Sequence, residues 1–504
     1  MELQTSIFRS QPDLQVAENV IPLCELARGF EEAGEFEQAR ETLRPFWQKL
    51  GERPDTTGLN DEAKAELLLR TGTLTGWLGS TKQISVAQEI AKDLISESAT
   101  IFESLGLTEK VAEARVDIAI CYWREGGLDE ARVTLRHVLD SLADSHSEQR
   151  LRALLNSAII EKVSTRDLEA LRIYREAAPL FDLSSNHALK GKFHNSHATL
   201  LKSLGLSENR EDYLDMALVE FAAASFHFEQ AGHHRFQARV ENNVGFLFAS
   251  IGRFREAQDH LDSAQRLFVS LGDHGAAAWS DDTRAQAYLL EGKNEEAERV
   301  ARSAVQTLKR GGEQTLLAEA LTSHAKSLAR LSQYQVARTS LDQALEIAQN
   351  AGDPDRGGIA AVTAIEELGS FLSGDALHEY YRKAESLLSN SQNRAIKTRL
   401  GECARRVLAA EFARAEQTPG DNAFKSDSSA SKQTELSLEA EVLRYEGNLI
   451  RRALESCGGS VTRAARLLGV THQGLAFILN GRHSDLLSIR TPVKRRRRSI
   501  IRYH

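Results

Sequence analysis

The sequence predicts an all-α protein, in which a solenoid of helical repeats is followed by a small helical domain. Three observations predict this class. Landmark residues recur every forty positions, only 8 prolines occur in 504 residues, and a compact pattern of small and apolar residues occupies positions 460–483. Because proline interrupts helix interiors, its scarcity lets long helices run unbroken. The expected order is a repeat array over residues 1–415, a linker over 416–434, a compact domain over 435–483 and a basic tail over 484–504.

Several series of small residues with one common period define the repeat array. The segment 252–264 reads GRFREAQDHLDSA, a Gly-x-Phe-x-x-Ala-x-x-x-Leu-x-x-Ala pattern. Its two alanines and the glycine that follows recur forty positions apart, at Ala217, Ala257, Ala297 and Ala337, at Ala224, Ala264, Ala304 and Ala344, and at Gly232, Gly272, Gly312 and Gly352. Weaker copies centre on Ala39, Ala87, Ala131 and Ala170, and a small residue lies twelve positions upstream at Ala27, Ala119, Ala158, Gly245, Ala285 and Ala325. Small residues let two helix axes approach closely, so each unit is predicted to be a helix A, a Gly-x-aromatic turn and a helix B.

This pattern resembles the tetratricopeptide repeat, in a long form of about forty residues instead of the usual ~34. The resemblance covers residues 15–350, and residues 355–415 are expected to form a degenerate capping pair of helices. HEAT-type repeats share the period but lack the Gly-x-Phe-x-x-Ala turn. The resemblance implies a right-handed solenoid whose concave groove, lined by helix A, binds a peptide or protein partner. The candidate groove residues are Asn156, Asn195, Asn242, Asn243 and Asp282; alternatively, they are polar residues of a solvated face.

Histidines in the middle of the array raise the question of a metal site. They are His187, His194, His197, His233 and His234. No carboxylate or cysteine lies beside them at the spacing of metal ligands, and the sequence has no H-E-x-x-H motif, which favours a packing or solvated role. Nucleotide-binding glycine loops and the G-x-S-x-G motif are also absent from the sequence. We therefore expect no metal, no cofactor, no catalytic residues and no enzyme activity.

Cysteine usage and hydropathy predict the compartment. The four cysteines Cys24, Cys121, Cys403 and Cys457 are scattered without a C-x-x-C pair, which is typical of reduced thiols. No run of 18 apolar residues predicts a membrane span, and the first residues lack the apolar core of a signal peptide. These features predict a cytoplasmic protein.

Charge and composition change sharply near residue 416. Residues 416–434, EQTPGDNAFKSDSSASKQT, are rich in Ser, Asp, Pro and Gly, which is typical of a flexible linker. Residues 435–504 hold 13 Lys and Arg against 6 Asp and Glu, a net charge of +7. Because the net charge of the whole chain is −8, residues 1–434 carry a net charge of −15. An acidic body with a basic end suggests that only the end faces a polyanion.

The last helices follow the spacing of a helix-turn-helix. A helix is predicted before Gly458 and Gly459, with Leu443, Ile450 and Leu454 on its apolar face. In the stretch SVTRAARLLGVTHQGLAFILNGRH, small and apolar residues stand where two crossing helices and their turn require them. The predicted structural residues are the N-cap Ser460, the helix-crossing Ala465, the turn residue Gly469, Val470 filling the angle, and Leu468, Leu475 and Ile478 in the core.

The preceding helix and the GGSVTRAARLLGV run resemble the DNA-binding domain of the bacterial Fis family, over residues 438–480. The resemblance implies double-stranded DNA as a partner, a homodimer, and a recognition helix that starts at Thr471. The implied DNA contacts are Thr471, His472, Gln473, Gly474, Ala476, Phe477 and Asn480, and we add Arg482 and His483, which follow the helix. The family usually carries Arg or Lys at the positions of Ala476, Phe477 and Ile478. Phe477 is expected either to contact a thymine methyl group or to pack against the segment that follows it in the sequence.

The basic tail supplies the charge that this helix lacks. Lys494, Arg495, Arg496, Arg497 and Arg498 are predicted to hold phosphates or to enter a minor groove, the alternative being a solvated tail. The combined interpretation is a bacterial, sequence-specific DNA-binding transcriptional regulator whose repeats bind a partner or sense a signal. The alternatives are a protein-interaction scaffold, whose helix-turn-helix serves dimerisation or nonspecific nucleic-acid contact, and an RNA-associated adaptor.

Overall fold

The structure is a computed structural model that describes residues 20–417, except 82–85, 144, 312, 390 and 392, and residues 438–489, except 469 and 471. Among the described residues every secondary-structure element is a helix, as the sequence predicts. The chain divides into two compact units after Thr418. No helix within the described residues is long and apolar enough to cross a membrane.

The first unit contains nineteen helices among its described residues. They are α1 (Val20–Ala33), α2 (Phe36–Thr42), α3 (Asp61–Thr81), α4 (Ala87–Ser104), α5 (Thr108–Glu125), α6 (Leu128–Ser141), α7 (Glu148–Val163), α8 (Asp167–Asp182), α9 (His187–Glu208), α10 (Glu211–Gln230), α11 (His234–Ser250), α12 (Phe254–Ser270), α13 (His274–Glu291), α14 (Asn294–Gly311), α15 (Gln314–Arg330), α16 (Tyr334–Asn350), α17 (Pro354–Leu368), α18 (Gly374–Leu388) and α19 (Arg394–Gln417). Helix α1 and the odd-numbered helices after it are the A helices of successive hairpins.

Close approach of the two helices in each hairpin explains the series of small residues. A Cβ atom built on Gly245 of α11 would lie 2.7 Å from Leu261 Cγ and 3.1 Å from the carbonyl oxygen of Ala257, both on α12. All the predicted alanine positions are buried: Ala27, Ala39, Ala87, Ala119, Ala131, Ala158, Ala170, Ala217, Ala224, Ala257, Ala264, Ala285, Ala297, Ala304, Ala325, Ala337 and Ala344. Gly205, twelve positions before Ala217, has the same role, because its Cβ would lie 2.5 Å from Leu214. Side chains larger than alanine would force the helices of a pair apart.

The turns between hairpins depend on a left-handed backbone position. Gly272 has φ +67° and Gly352 has φ +62°, and the next residue after Gly272 donates its backbone N–H to Phe268 O at 3.0 Å. Glycine adopts this conformation without steric cost and ends the helix there. The same conformation occurs with a side chain at Ser332, which has φ +63° in the turn before α16. Gly312, one of the predicted turn glycines, lies outside the described residues.

The first helix pair contacts helices far along the chain. Gly34, which follows α1, lies so close to α11 that its Cβ would be 3.1 Å from Phe236 Cζ. Arg28 on α1 donates a 2.7 Å hydrogen bond to Glu148 on α7. The N-terminal half of the array therefore curves back on itself around a space that is lined mainly by A helices.

The end of the first unit differs from the sequence prediction. Residues 355–415 were expected to form one capping pair, but three helices, α17 to α19, occupy this region. Helix α19 continues to Gln417, two residues into the predicted linker. The remainder of the predicted linker, 418–434, lies outside the described residues.

The second unit consists of α20 (Leu438–Ser456), α21 (Val461–Leu467), α22 (His472–Asn480) and a 3₁₀ helix, Ser484–Ile489. Its buried core contains Ile450, Ala453, Leu454, Val461, Ala464, Ala465, Leu475, Leu479 and Leu486. Ile450 and Leu454 thus lie on the apolar face predicted for α20. The side chain of Leu443 is outside the described set.

Candidate functional site

The second unit packs as a helix-turn-helix around small residues. Ala465 of α21 and Leu475 of α22 are buried as predicted, and Leu468 and Ile478 are partly buried against the same core. Leu479 is also buried, although the sequence interpretation assigned it no role. Its position one turn after Leu475 was the available signal, because residues i and i+4 share a helix face.

Two of the predicted structural residues behave differently. Val470 is 42% exposed, so it does not fill the angle between the helices; Leu475 and Leu479 of α22 fill the core instead. Ser460 stands at the N-cap of α21 with extended backbone, but its side chain accepts no capping hydrogen bond. Gly469 and Thr471 lie outside the described residues.

One face of α22 is open to solvent. His472, Gln473, Phe477 and Asn480 are exposed, and Phe477 is 82% exposed. Gln473, Phe477 and Asn480 are separated by four and three positions, so they share one side of the helix. Gly474 and Ala476 are partly buried beside them.

Arg482 and His483, which follow α22, both pair with Glu446 of α20. Arg482 Nη2 donates to Glu446 Oε1 at 2.5 Å, and His483 Nε2 lies 2.9 Å from Glu446 Oε2. His483 is buried, with its ring above Gly447 of α20. The hydrogen bond from Arg482 lowers the pKa of Glu446 below its usual value. Both residues thus tie the end of α22 to α20, with His483 buried and Arg482 exposed, and the prediction that they contact DNA stays a prediction.

The predicted tail begins inside the folded unit. Leu486 of the 3₁₀ helix is 1% exposed and belongs to the core, so residues 484–489 are not part of a free tail. Phe477 does not pack against residues 484–489, since its side chain remains exposed. The basic run Lys494, Arg495, Arg496, Arg497 and Arg498 lies outside the described residues.

In the repeat array, the predicted groove residues fall into two groups. Asn156 and Asn195 are partly buried and line a cavity of about 330 Å³ inside the curved N-terminal half. Asn195 also lines a neighbouring cavity of about 1200 Å³, and Asn243 donates a 3.4 Å hydrogen bond to it. These three residues therefore lie at or beside the inner space of the array.

The other two predicted groove residues are buried between helices. Asn242 is 2% exposed and donates a 3.1 Å hydrogen bond to Thr283 on the next A helix. Asp282 is 1% exposed and accepts a hydrogen bond from Gln286 at 2.8 Å. Burial, with Glu319 nearby, raises the pKa of Asp282 to about 7. Because these side chains are directed into the packing between repeats, their assignment to an open groove is corrected.

We name the 330 Å³ cavity the inner chamber. Its aromatic wall consists of Phe36, Trp77, Trp123, Phe228 and Phe236. Charged residues from α1, α3, α5, α7 and α9 complete the lining, including Arg28, Arg70, Arg152 and Lys192. The sequence interpretation missed these residues, because the closure of α1 onto α7 and α11 brings them together across large separations in the chain.

Comparison with known proteins agrees with both halves of this description. The profile of the tetratricopeptide repeat matches residues 236–310, and the profile described as bacterial regulatory protein, Fis family, matches residues 444–476. The chain contains tetratricopeptide repeats and a C-terminal Fis-type helix-turn-helix. The first match spans α11 to α14, and the second covers most of α20, all of α21 and the first half of α22.

Three of the solved structures that are similar to the chain match it at low identity. A Rap protein complexed with competence and sporulation factor is 14% identical, covers 80% of this chain and 100% of its own, and has a TM-score of 0.46. Yeast Tom70 is 13% identical, with coverages of 81% and 84% and a TM-score of 0.46. A signal transduction ATPase with numerous domains from Pyrococcus horikoshii, which has a tetratricopeptide repeat sensor, is 13% identical, with coverages of 82% and 67% and a TM-score of 0.43. No significant match was found among the curated proteins.

A histidine cluster joins α9 and α10 of the tetratricopeptide array. His187 Nδ1 lies 2.9 Å from His227 Nδ1, and His194 Nδ1 lies 2.7 Å from Glu220 Oε2. Burial and the nearby His194 lower the pKa of His227 to about 4. Against the opposing effect of burial, hydrogen bonds from His194 and His197 lower the pKa of Glu220 to about 2. Within the described residues, no group of three or more His, Cys, Asp or Glu side chains is arranged to hold a metal ion.

Proposed function

We propose that this protein is a sequence-specific DNA-binding transcriptional regulator, in which the Fis-type unit binds DNA and the tetratricopeptide array binds a partner or signal. One observation carries the proposal. The exposed residues Gln473, Phe477 and Asn480 share one side of α22, the helix that follows the turn in a unit with a Fis-family match. In helix-turn-helix proteins this second helix enters the major groove.

The exposed side chains suit base contacts. The amides of Gln473 and Asn480 present a donor and an acceptor, which match the N6 and N7 positions of adenine. Phe477 offers an apolar surface to a thymine methyl group. Asn480 Nδ2 donates to the Ala476 carbonyl oxygen at 2.9 Å, so this side chain would turn outward on binding.

Lysine and arginine contacts to phosphates must come from outside α22, because its sequence HQGLAFILN contains neither residue. Arg463 and Arg466 on α21 are exposed, and residues 494–498 supply five further cations. Phosphate contacts fix the position of a protein on the duplex, whereas base contacts specify sequence. We assign these arginines and the basic run to the first role.

A homodimer accompanies this proposal, since one helix-turn-helix reads only a half-site. Leu449 on α20 is 45% exposed although it is apolar, which supports a protein contact along this helix. Two copies would place two α22 helices about one turn of DNA apart, roughly 34–36 Å.

Selection of binding sites from random duplex DNA by the full chain tests the proposal. One motif with two related halves should be enriched. As a control, selection with Phe477→Ser should change the preference at one position of each half-site while the protein stays folded, because this side chain is outside the core. If repeated selection enriches no motif, the proposal is wrong.

A scaffold function is the second candidate, and exposed apolar side chains favour it. Leu467 is 63% exposed, and Phe477 is 82% exposed, on adjacent helices of the same unit. Such side chains also suit a protein interface. Under this alternative, Phe477→Ser should weaken self-association or partner binding in sedimentation experiments, and no DNA motif should be found.

A further inference from the structure

The inner chamber combines apolar walls with a small number of charged groups. Its volume of about 330 Å³ lies at the small end of the range for ligand pockets, roughly 300–1,000 Å³. Trp77 stacks on Phe36 with ring centroids 4.7 Å apart, and Phe228 stacks on Phe236 at 5.2 Å. These two aromatic pairs come from four different helices and offer flat apolar surfaces to a ligand.

Three arginines already pair with the four carboxylates that line the chamber. Arg28 Nε lies 3.1 Å from Glu32, and Arg28 Nη2 lies 2.7 Å from Glu148. Arg70 Nη1 lies 2.7 Å from Glu31. In the same lining, Arg152 Nη2 lies 2.9 Å from Asp117 Oδ1. No lining carboxylate is therefore left as the dedicated partner of Lys192.

Lys192 is the cation that remains. Within the part of the chain that the structure describes, its ammonium makes no hydrogen bond or ion pair, and Nζ lies 5.4 Å from the centroid of the Phe236 ring. Burial, with Arg152 nearby, lowers the pKa of Lys192 from 10.5 to about 8. A partly buried ammonium without an acidic partner is costly, and an anion beside it would remove that cost.

We propose that the inner chamber binds a carboxylate attached to an apolar body, with Lys192 as its counter-ion and the aromatic wall in contact with the body. This inference deepens the proposed function of the array by naming the chemistry of its ligand. A carboxylate fits better than a phosphate, because one ammonium balances one charge and the carboxylates of Glu32 and Glu148 would repel a second.

Two sources supply this chemistry: the C-terminal end of a peptide, or a small free carboxylic acid. Four residues, Trp123, Ile159, Asn195 and Ser196, line both the inner chamber and the neighbouring cavity of about 1200 Å³. A peptide whose terminal residues occupy the chamber therefore has room to continue into the larger space, whereas a small acid would end inside the chamber.

Tryptophan fluorescence of the full chain provides the measurement. Trp77 and Trp123 line the chamber, and the protein has only two other tryptophans, Trp47 and Trp279. The probes are N-acetyl-Leu-Phe with a free carboxylate, its C-terminal amide, 4-phenylbutyrate and 4-phenylbutanol. We expect each acid to bind at least about tenfold more tightly than its neutral counterpart, a difference of about 1.4 kcal/mol. If the dipeptide acid binds more tightly than 4-phenylbutyrate, the ligand is the C-terminal end of a peptide. If 4-phenylbutyrate binds more tightly, the ligand is a small free acid.

Lys192→Gln should weaken the binding of both acids at least about tenfold and leave the binding of the neutral probes unchanged. The matched control is Lys202→Gln on the same helix: burial and Lys162 lower the pKa of Lys202 to about 8, and its Nζ lies 5.4 Å from the Phe246 ring centroid, but it does not line the chamber. This control should bind both acids as the unaltered protein does. Because Lys192 makes no ion pair within the described chain, its replacement should leave the circular dichroism spectrum unchanged.

A pH profile separates a counter-ion from a merely structural lysine. The groups that face Lys192 are Arg152, Glu148, Glu31, Glu32 and His233. Burial raises the pKa of Glu31 to about 7, so its ionisation should weaken acid binding around neutral pH in every variant. Above about pH 8, free Lys192 loses its proton and acid binding should weaken further, and Lys192→Arg should abolish this second loss alone.

Equal binding of acid and amide, an unchanged affinity in Lys192→Gln, or no fluorescence change at millimolar acid would each overturn the proposal. These measurements do not involve DNA, so they can fail while the DNA selection succeeds, or the reverse.

Discussion

The close approach of α11 and α12 leads to a prediction in which one methyl group changes the sign of an effect. In a helix interior, replacing glycine with alanine normally stabilises the helix by about 1 kcal/mol. At Gly245 the added Cβ would lie 2.7 Å from Leu261 Cγ and 3.1 Å from the backbone oxygen of Ala257. Leu261 is fully buried and cannot swing away freely. Overpacking of this kind costs about 1–3 kcal/mol, so Gly245→Ala should destabilise its hairpin by about 0–2 kcal/mol net.

Gly401→Ala is the matched control. Gly401 lies within α19, is exposed, and its Cβ would have no atom within 4 Å. The control therefore gains the helix propensity without overpacking and should stabilise α19 by about 1 kcal/mol. The difference between the two variants, about 1–3 kcal/mol, isolates the packing cost.

Hydrogen exchange of the full chain, followed peptide by peptide, is the suitable assay because repeat proteins open locally. Amides of α11 and α12 should exchange up to about 30-fold faster in Gly245→Ala, whereas amides of α19 should exchange about fivefold more slowly in Gly401→Ala. If Gly245→Ala slows exchange in α11 and α12, the two helices do not approach as described, and the explanation of the forty-residue pattern is refuted.

Four further outcomes test other parts of the molecule. Gln473→Ala with Asn480→Ala should reduce sequence preference by about 1–3 kcal/mol per lost contact, measured as the affinity ratio of selected to scrambled duplex; an unchanged ratio would remove both from base recognition. Alanine at all of 494–498 should lower the slope of log affinity against log salt by at least about 2 on both duplexes, and an unchanged slope would exclude phosphate contacts. Ser332→Gly should stabilise its hairpin by about 0.5–1 kcal/mol in hydrogen exchange, since glycine relieves the left-handed backbone; faster exchange would contradict this. Burial, with Asp117 nearby, raises the pKa of the Cys121 thiol to about 12, so iodoacetamide at pH 8 should label it only after unfolding, and prompt labelling of the folded protein would contradict its burial.

The repeat hairpins were predictable because their signals are local. A small residue at the helix contact and a glycine at the turn are required in each unit regardless of the others, so Ala257 and Gly272 identify their own positions. The extra helix at the end of the array was missed because α17 to α19 lack the repeated landmarks. In the second unit, spacing located the buried Ala465 and Leu475 correctly, but Val470 was misassigned, since hydrophobicity alone does not say which apolar residue of a turn faces inward.

The inner chamber was not predictable from the sequence. Asn156 and Asn195 were identified through the concave face expected of repeat arrays, but Lys192 and Trp77 were not. These residues meet only because the array curves until α1 reaches α11, and that curvature is the sum of small rotations at every repeat interface. The burial of Asn242 likewise depends on how far each hairpin rotates against the next.

The contact between Gly34 and Phe236 also has a consequence for the order in which the protein is made. During synthesis, the first helices leave the ribosome long before α11 exists to cover them. Domains fold from the N-terminus as they emerge, and uncovered apolar surface is prone to aggregation during that time. Phe36 and Trp77, which stack on each other beside the inner chamber, emerge long before Phe236, which completes the chamber wall. We therefore expect nascent chains that stop before α11 to be captured by chaperones through this aromatic pair, and chains that extend beyond α12 to be released.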